Sequence, residues 1–255
     1  MNPQPLSIVA ATILRKAAAD EGFDIDLGED GGWLRFETTH TPAAVALTIS
    51  EPYLVLAVSP PSVAAELAAG DAIPWTGPIP TGMAMALVAP DPRTLYRLLA
   101  RTRMLGRSLP TVPLVRFTRE AAGLPRTTEA ERIIVQRVGQ DIFRDALLDY
   151  WNDRCPITGI DDPRLLRASH MKPWADCESD AERLDVHNGL LLAAHIDAAF
   201  DAGLITFDTA GRLLPSRQLS PENRNRLGLD ADIHLALRAA HAPYLDWHRR
   251  EVFTP

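Results

Sequence analysis

The stretch from Leu165 to Asp208, LLRASHMKPWADCESDAERLDVHNGLLLAAHIDAAFDAGLITFD, constrains this chain more than any other. It opens with the short apolar run Leu165-Leu166-Arg167-Ala168 and ends that run on Ser169-His170. Pro173 stops any ladder soon after, because proline has no N–H to offer. A polar, acid-rich loop from Ala175 to Asp185 follows, and then His187-Asn188-Gly189 turns into the apolar Leu190-Leu191-Leu192. From Ala193 the pattern is helical, with Ile196 and Phe200 four apart and Gly203 placed as a C-terminal stop. The reading is strand, long loop, strand, helix. A hairpin crossed by a helix can face a histidine at a strand end with ligands on the helix. Asp197 and Asp201 are four apart, so both carboxylates leave the helix on one side. Hard oxygen donors of this kind suit Mg²⁺ or Mn²⁺. A neutral His170 could take a proton from water while such an ion polarises a phosphate, an arrangement that would serve phosphodiester hydrolysis.

These residues carry a family resemblance. The chain reads Ala-Ser-His-x-x-Pro-Trp over 168–174, Asn-Gly-Leu-Leu-Leu over 188–192 and His-Ile-Asp-x-x-Phe-Asp-x-Gly over 195–203. In this it resembles one branch of the HNH endonucleases, over roughly residues 126 to 215. The resemblance implies a ββα-metal finger, DNA as partner, one divalent cation (Mg²⁺ or Mn²⁺) and products with 5′-phosphate and 3′-hydroxyl ends. It implies His170 as general base and Asn188 as the residue that holds the loop and orients that base. It also implies a metal ligand near the start of the helix, for which His195 and Asp197 are candidates, with Asp201 a further one. Many relatives have an acid before the base where this chain has Ser169. Residues 195 and 197 face the same way only if 195 precedes the first helical turn.

At 255 residues, 46% hydrophobic and 23% charged, the chain is long enough for one large or two ordinary globular domains. No apolar run reaches bilayer length and the first residues carry no basic leader, so no membrane partner and a cytoplasmic location are expected. Cys155 and Cys177 cannot form a zinc ribbon alone and read as reduced thiols. The net charge of −7 speaks mildly against nucleic acid, yet seven arginines and no acid lie between Arg93 and Arg119. Arg93, Arg97 and Arg101 form an i, i+4, i+8 row. Such a row is a solvated face when alone and a ready phosphate contact beside a nuclease finger.

The expected fold class is α+β: an N-terminal α+β domain of unrecognised fold over 1–120, then an HNH nuclease domain over 121–255 with flanking helices and the finger at about 155–208. In the first, residues 6 to 20 predict a helix with Val9, Ile13, Leu14 and Ala17 on one side. Asp24 to Asp30 reads as a break, and Trp33–Glu37, Ala44–Ile49 and Tyr53–Val58 read as strands. A small helix starts at Pro60-Pro61-Ser62 and ends at Gly70. Residues 73 to 90 predict an irregular loop with one short strand, ahead of the basic helix from Pro92 to Leu105. Trp33, Phe36, Tyr53 and Trp75 are core residues on the plain reading and base-stacking platforms on the sharper one.

Leu109 to Pro125 reads as a linker, because Pro110, Pro113 and Pro125 limit helix formation. Thr128 and Glu131 predict a capping box for a helix to about Trp151, with Ile134, Val138, Ile142, Leu147 and Trp151 inward. Its Arg137, Gln140 and Arg144 either brace the hairpin or grip the DNA backbone. A hairpin around 208–211, a helix after Ser220 and a terminal helix docking Tyr244 and Trp247 complete the chain. His40, His234, His241 and His248 sit in no ligand spacing and predict surface or capping roles, while His187 predicts packing or loop bonding. Cutting both strands with one finger per chain would favour a homodimer. The N-terminal domain could recognise DNA, as in restriction enzymes and some modification-dependent ones, by analogy alone. The other reading is a DNA-binding protein with a degenerate, inactive finger.

Overall fold

The computed structural model describes residues 5–109, 111–125, 127–229 and 232–255. The chain divides into two compact units, Met1–Leu109 and Pro110–Pro255.

The first unit runs α1 (Ile8–Asp20), β1 (Ile25–Asp30), β2 (Trp33–Glu37), β3 (Ala44–Ser50), β4 (Tyr53–Ser59), α2 (Pro61–Ala68), β5 (Ile73–Pro74), β6 (Met85–Ala89) and α3 (Pro92–Ser108). Its strands form one antiparallel sheet in the order β1-β2-β3-β4-β6-β5. Register lines up Leu34, Leu47, Leu56 and Leu87 across four strands, and all four are fully buried. Side chains alternate along a strand, so Trp33, Ala46, Val55, Ala57 and Ala86 line the other face, where Trp75 and Met83 pack on them. The leucine row is thereby left to the helices, of which α1 meets β2 and β3, α2 meets β4, and α3 meets β4 and β6.

Two expectations for this unit are corrected. The acidic segment after Gly22 is not a break but the edge strand β1, bulged between Asp26 and Gly28, where Gly28 takes φ 86°. Main-chain pairing with β2 outweighs poor strand propensity, and charged side chains blunt an exposed edge. Helix α1 turns inward Ala11, Leu14, Ala17 and Ala18, leaving Val9 69% and Ile13 52% exposed. Small residues let a helix lie close to a sheet, so packing selects the alanine side over the bulkier one. Trp33 and Phe36 are buried core side chains, which removes them as stacking platforms.

The second unit begins with α4 (Thr111–Ala121), in place of the expected linker. Pro113 is tolerated because it lies in the first turn, where main-chain N–H groups have no intrahelical acceptor. Helix α5 (Glu129–Tyr150) follows, with the predicted capping box formed by Thr128 and Glu131. Arg116 on α4 bonds Asp145 on α5 at 2.8 Å. The buried face of α5 is Val135, Gly139, Ile142, Phe143, Ala146, Leu147 and Tyr150, and Ile134 faces out. The expected stripe was therefore off by about one position at its N-terminal end, because Gly139 and Ala146 mark the close contacts and carry little hydrophobic signal.

Then come β7 (Leu166–His170), the single-turn α6 (Asp180–Arg183), β8 (Gly189–Ala193) and α7 (Ala194–Asp201), the expected strand, loop, strand and helix. Strands β7 and β8 pair antiparallel with His170 opposite Gly189. The unit closes with β9 (Ile205–Phe207), β10 (Leu213–Pro215), α8 (Pro221–Arg226) and α9 (Ala242–Glu251). Among the described residues no helix is long and apolar enough to cross a membrane.

His241 and His248 are both buried; His241 fills the expected capping role, its Nδ1 accepting from Arg238 N at 2.9 Å, whereas His248 is neither at the surface nor a cap. His248 on α9 stacks on Phe200 of α7 with ring centroids 3.8 Å apart. Its Nε2 lies 3.1 Å from the Phe200 carbonyl and its Nδ1 3.1 Å from Thr206 Oγ1. In α9 it is Leu245 and His248 that dock fully, with Tyr244 and Trp247 half-buried. Burial lowers the His248 pKa from 6.5 to about 4, against the opposing pull of the Phe200 carbonyl. The fold thus holds this imidazole neutral, whereas the unfolded chain takes up a proton near 6.5, so stability is present above that pH and is lost as pH falls towards 4. Through His248 the unfolding free energy should drop by up to about 3 kcal/mol over that window. Denaturant titrations at several pH values should give a shallower slope for His248→Asn than for the parent, and equal slopes would refute this.

Candidate active site

Pairing of β7 with β8 brings His170 to the end of a strand, and Pro173 then turns the chain into the acid-rich loop. The imidazole lies flat on Phe143 of α5, with centroids 3.8 Å apart and planes 14° apart. The Trp174 ring meets it edge-on, 6.0 Å away at 89°. His170 Nε2 sits 2.9 Å from the main-chain oxygen of Arg183. A carbonyl can only accept, so Nε2 carries the hydrogen and Nδ1 keeps its lone pair. Burial lowers the His170 pKa from 6.5 to about 4, the bond to the Arg183 carbonyl acting in the opposite sense. The ring is a neutral acceptor at ordinary pH.

The loop that supplies that carbonyl is tied from two directions. Arg183 donates from Nε to Trp174 O at 3.1 Å, from Nη2 to Cys177 O at 2.6 Å and from Nη1 to Asp180 at 3.0 Å. Asn188 is fully buried. Its Oδ1 accepts from Lys172 N at 2.8 Å, and its Nδ2 donates to Lys172 O at 3.0 Å and Glu182 O at 3.2 Å. One amide therefore clamps both ends of the loop. The ion pair between Lys172 and Glu182, 3.0 Å long, closes the same ring of contacts.

Successive side chains of a strand point to opposite faces. At the end of β7 His170 turns to α5, while Ser169 turns to α7 and donates to Asp201 Oδ1 at 3.3 Å. Asp197 and Asp201 share this neighbour. Burial raises the pKa of both, and the Asp197 charge raises Asp201 further, while the Ser169 hydroxyl opposes the shift in each. Two carboxylates on one helix side, Asp197 half-buried and Asp201 more exposed, are a natural seat for a cation. Among the described residues no three His, Cys, Asp or Glu side chains converge into a metal-holding group. His195 is exposed on the first turn of α7 and, two residues from Asp197, leaves the helix on nearly the opposite side. Two carboxylates with water and phosphate oxygens still fit Mg²⁺, which typically takes one or two protein carboxylates.

Arg144 donates to Leu166 O at 2.8 Å and Pro163 O at 2.6 Å, so its guanidinium braces the lead into β7. Arg137 and Gln140 are exposed on α5. Arg97 is exposed on α3 of the first unit, and Arg101 is half-buried and engaged within the fold. His187 does bond its loop, with Nδ1 2.9 Å from Asp185. Sequence reasoning missed Phe143, Trp174 and Arg183. The signal for the first lay in Gly139-Gln140-x-x-Phe143-Arg144, whose spacing puts Gly139 and Phe143 on one helix side.

Residues 155–208 match the family model described as HNH endonuclease. None of the curated proteins compared with the chain matches it. The matched segment begins at the turn before β7 and ends just past β9, so it spans the hairpin, the clamped loop and α7. The second unit of this chain therefore carries a domain of the HNH endonuclease family.

Proposed function

We propose that the protein is a metal-dependent DNA endonuclease in which His170 is the general base. The observation that carries this reading is the neutral imidazole tied through Nε2 to the Arg183 carbonyl, which leaves Nδ1 to accept a proton from water. A general base must be unprotonated at working pH and held in one orientation, and both conditions are met at this strand end. Asn188 would act through the loop it clamps and not by touching substrate. Asp197 and Asp201 would hold the divalent cation, Mg²⁺ or Mn²⁺, with Ser169 as their hydrogen-bonding neighbour in place of an acidic ligand. When bound, that ion would neutralise charge building on the scissile phosphate and the leaving 3′ oxygen. Exposed Arg137 and Gln140 on α5 would contact the DNA backbone, with Arg97 and Arg101 on α3 as a second basic row. Arg144, committed to two main-chain carbonyls, would serve by bracing the hairpin.

The support for a restriction-type role is that the finger follows a separate compact unit, which would recognise DNA. A modification-dependent form would have to read the altered base without Trp33 and Phe36, which lie in the core. A second reading, a DNA-binding protein with an inactive finger, draws on the lack of a three-donor group among the described residues.

Supercoiled plasmid with Mg²⁺ or Mn²⁺ separates these readings. The parent should nick it, and His170→Ala should be slower by at least about a hundredfold, within the range general-base catalysis spans. A His170→Ala protein that cuts as fast as the parent removes the base assignment, while retardation on a gel without nicking under any divalent ion selects the inactive finger. By calorimetry with Mn²⁺, Asp197→Ala and Asp201→Ala should each weaken binding, on the order of tenfold or more per lost ligand. An unchanged isotherm clears that residue.

A further inference from the structure

We infer that Phe143, on the helix that precedes the finger, is a positioning residue for His170, holding the imidazole in the single orientation that presents Nδ1. This rests on the reading of His170 as general base.

The bond from Nε2 to the Arg183 carbonyl fixes one corner of the ring but leaves it free to swing about the N···O line. The stack on Phe143 removes that freedom, since planes 14° apart at 3.8 Å leave no room for the ring to turn. Trp174, standing perpendicular at 6.0 Å, bounds another edge. A flipped ring would also give up its bond to Arg183, because its carbon would face the carbonyl.

Phe143 is itself held rigidly. It is 1% exposed, and a Cβ at Gly189 would overlap its Cζ, so only glycine at the start of β8 lets the ring lie where it does. One turn earlier on α5, Gly139 makes the corresponding space for Trp174. A short stretch of α5, residues 139 to 144, thus reaches the finger at three points: Gly139 seats Trp174, Phe143 backs His170 and Arg144 braces the strand that ends in His170. A packing role for Phe143 would need only volume at this place. The parallel stack needs a flat face, and that difference makes the idea testable.

The test is Phe143→Leu in the full chain, which keeps apolar bulk and removes the flat face. Long-range ¹⁵N–¹H imidazole spectra are recorded near pH 7.5 without DNA or metal, beside plasmid nicking kinetics with Mn²⁺. In the parent, His170 should be a single Nε2–H tautomer with ring protons shifted upfield by the stacked phenyl. In Phe143→Leu the upfield shift should vanish and the tautomers should mix, with kcat falling about tenfold or more and KM within twofold, as expected when a reacting group is misaligned. A Phe143→Leu protein with the parental tautomer and parental kcat overturns the proposal. Should Phe143→Leu not fold, Phe143→Met takes its place under the same criteria. A parent spectrum with mixed tautomers or unshifted ring protons overturns it without any variant. A parent that nicks no DNA sinks the hydrolase reading while the spectra still decide whether Phe143 orders the ring.

Discussion

The bond between His170 Nε2 and the Arg183 carbonyl is what the second unit is arranged around. A carbonyl belongs to the chain, so its position is only as good as the loop that carries it. His170 and Arg183 lie thirteen positions apart, and half of the twelve residues between them are polar or charged. Buried Met171 and Cys177 and the Trp174 ring against Gly139 anchor that segment only at points, and its ordering entropy is substantial. Hydrogen bonds inside the loop and to Asn188 hold the rest. The Arg183 side chain binds the loop that its own carbonyl serves, so both functional ends of that residue depend on one backbone conformation. Loss of the buried Asn188 amide would take a hydrogen bond from Lys172 N, Lys172 O and Glu182 O, and each group left unsatisfied costs about 1–3 kcal/mol.

Two helices grip the hairpin from opposite sides and do different work. Helix α5 meets His170 with an aromatic plane and no charge, which is why burial dominates the imidazole and keeps it neutral. Helix α7 meets Ser169 with two carboxylates, where burial raises the pKa of both and the Asp197 charge raises that of Asp201 further. The same physical cause, partial removal from water, therefore yields a free lone pair on one side and carboxylates that hold their protons more readily on the other. The alternation of a single strand separates the two environments by one residue.

Helix α7 is fixed in turn from behind. His248 stacks on Phe200 as His170 stacks on Phe143, and the chain beyond α9 lies against Gly203, where a side chain would strike the Val252 carbonyl. Thr254 N donates to Gly203 O at 3.0 Å. The C-terminal segment thus serves the candidate site without reaching it, by holding the helix that carries Asp197 and Asp201.

Strand, loop, strand and helix were legible from residues 165–208 because proline, a glycine turn and a change of apolar period mark their ends in the local chain. So were the capping box of α5 and the i, i+4 relation of Asp197 and Asp201, since both are properties of one helix. Other features depended on neighbours distant in sequence. Pairing with β2 made a strand of the acidic segment Ile25–Asp30, and packing turned α1 by its alanines and α5 by Gly139 and Phe143. The commitment of Arg144 to carbonyls, the outward turn of His195 and the burial of His241 and His248 likewise came from contacts formed only once the chain had folded. The chain by itself determined which residues hold lone pairs and charges and how they are spaced along each element. Tertiary structure alone decided which of them lost water, because desolvation depends on what packs against a group and not on its position in the sequence.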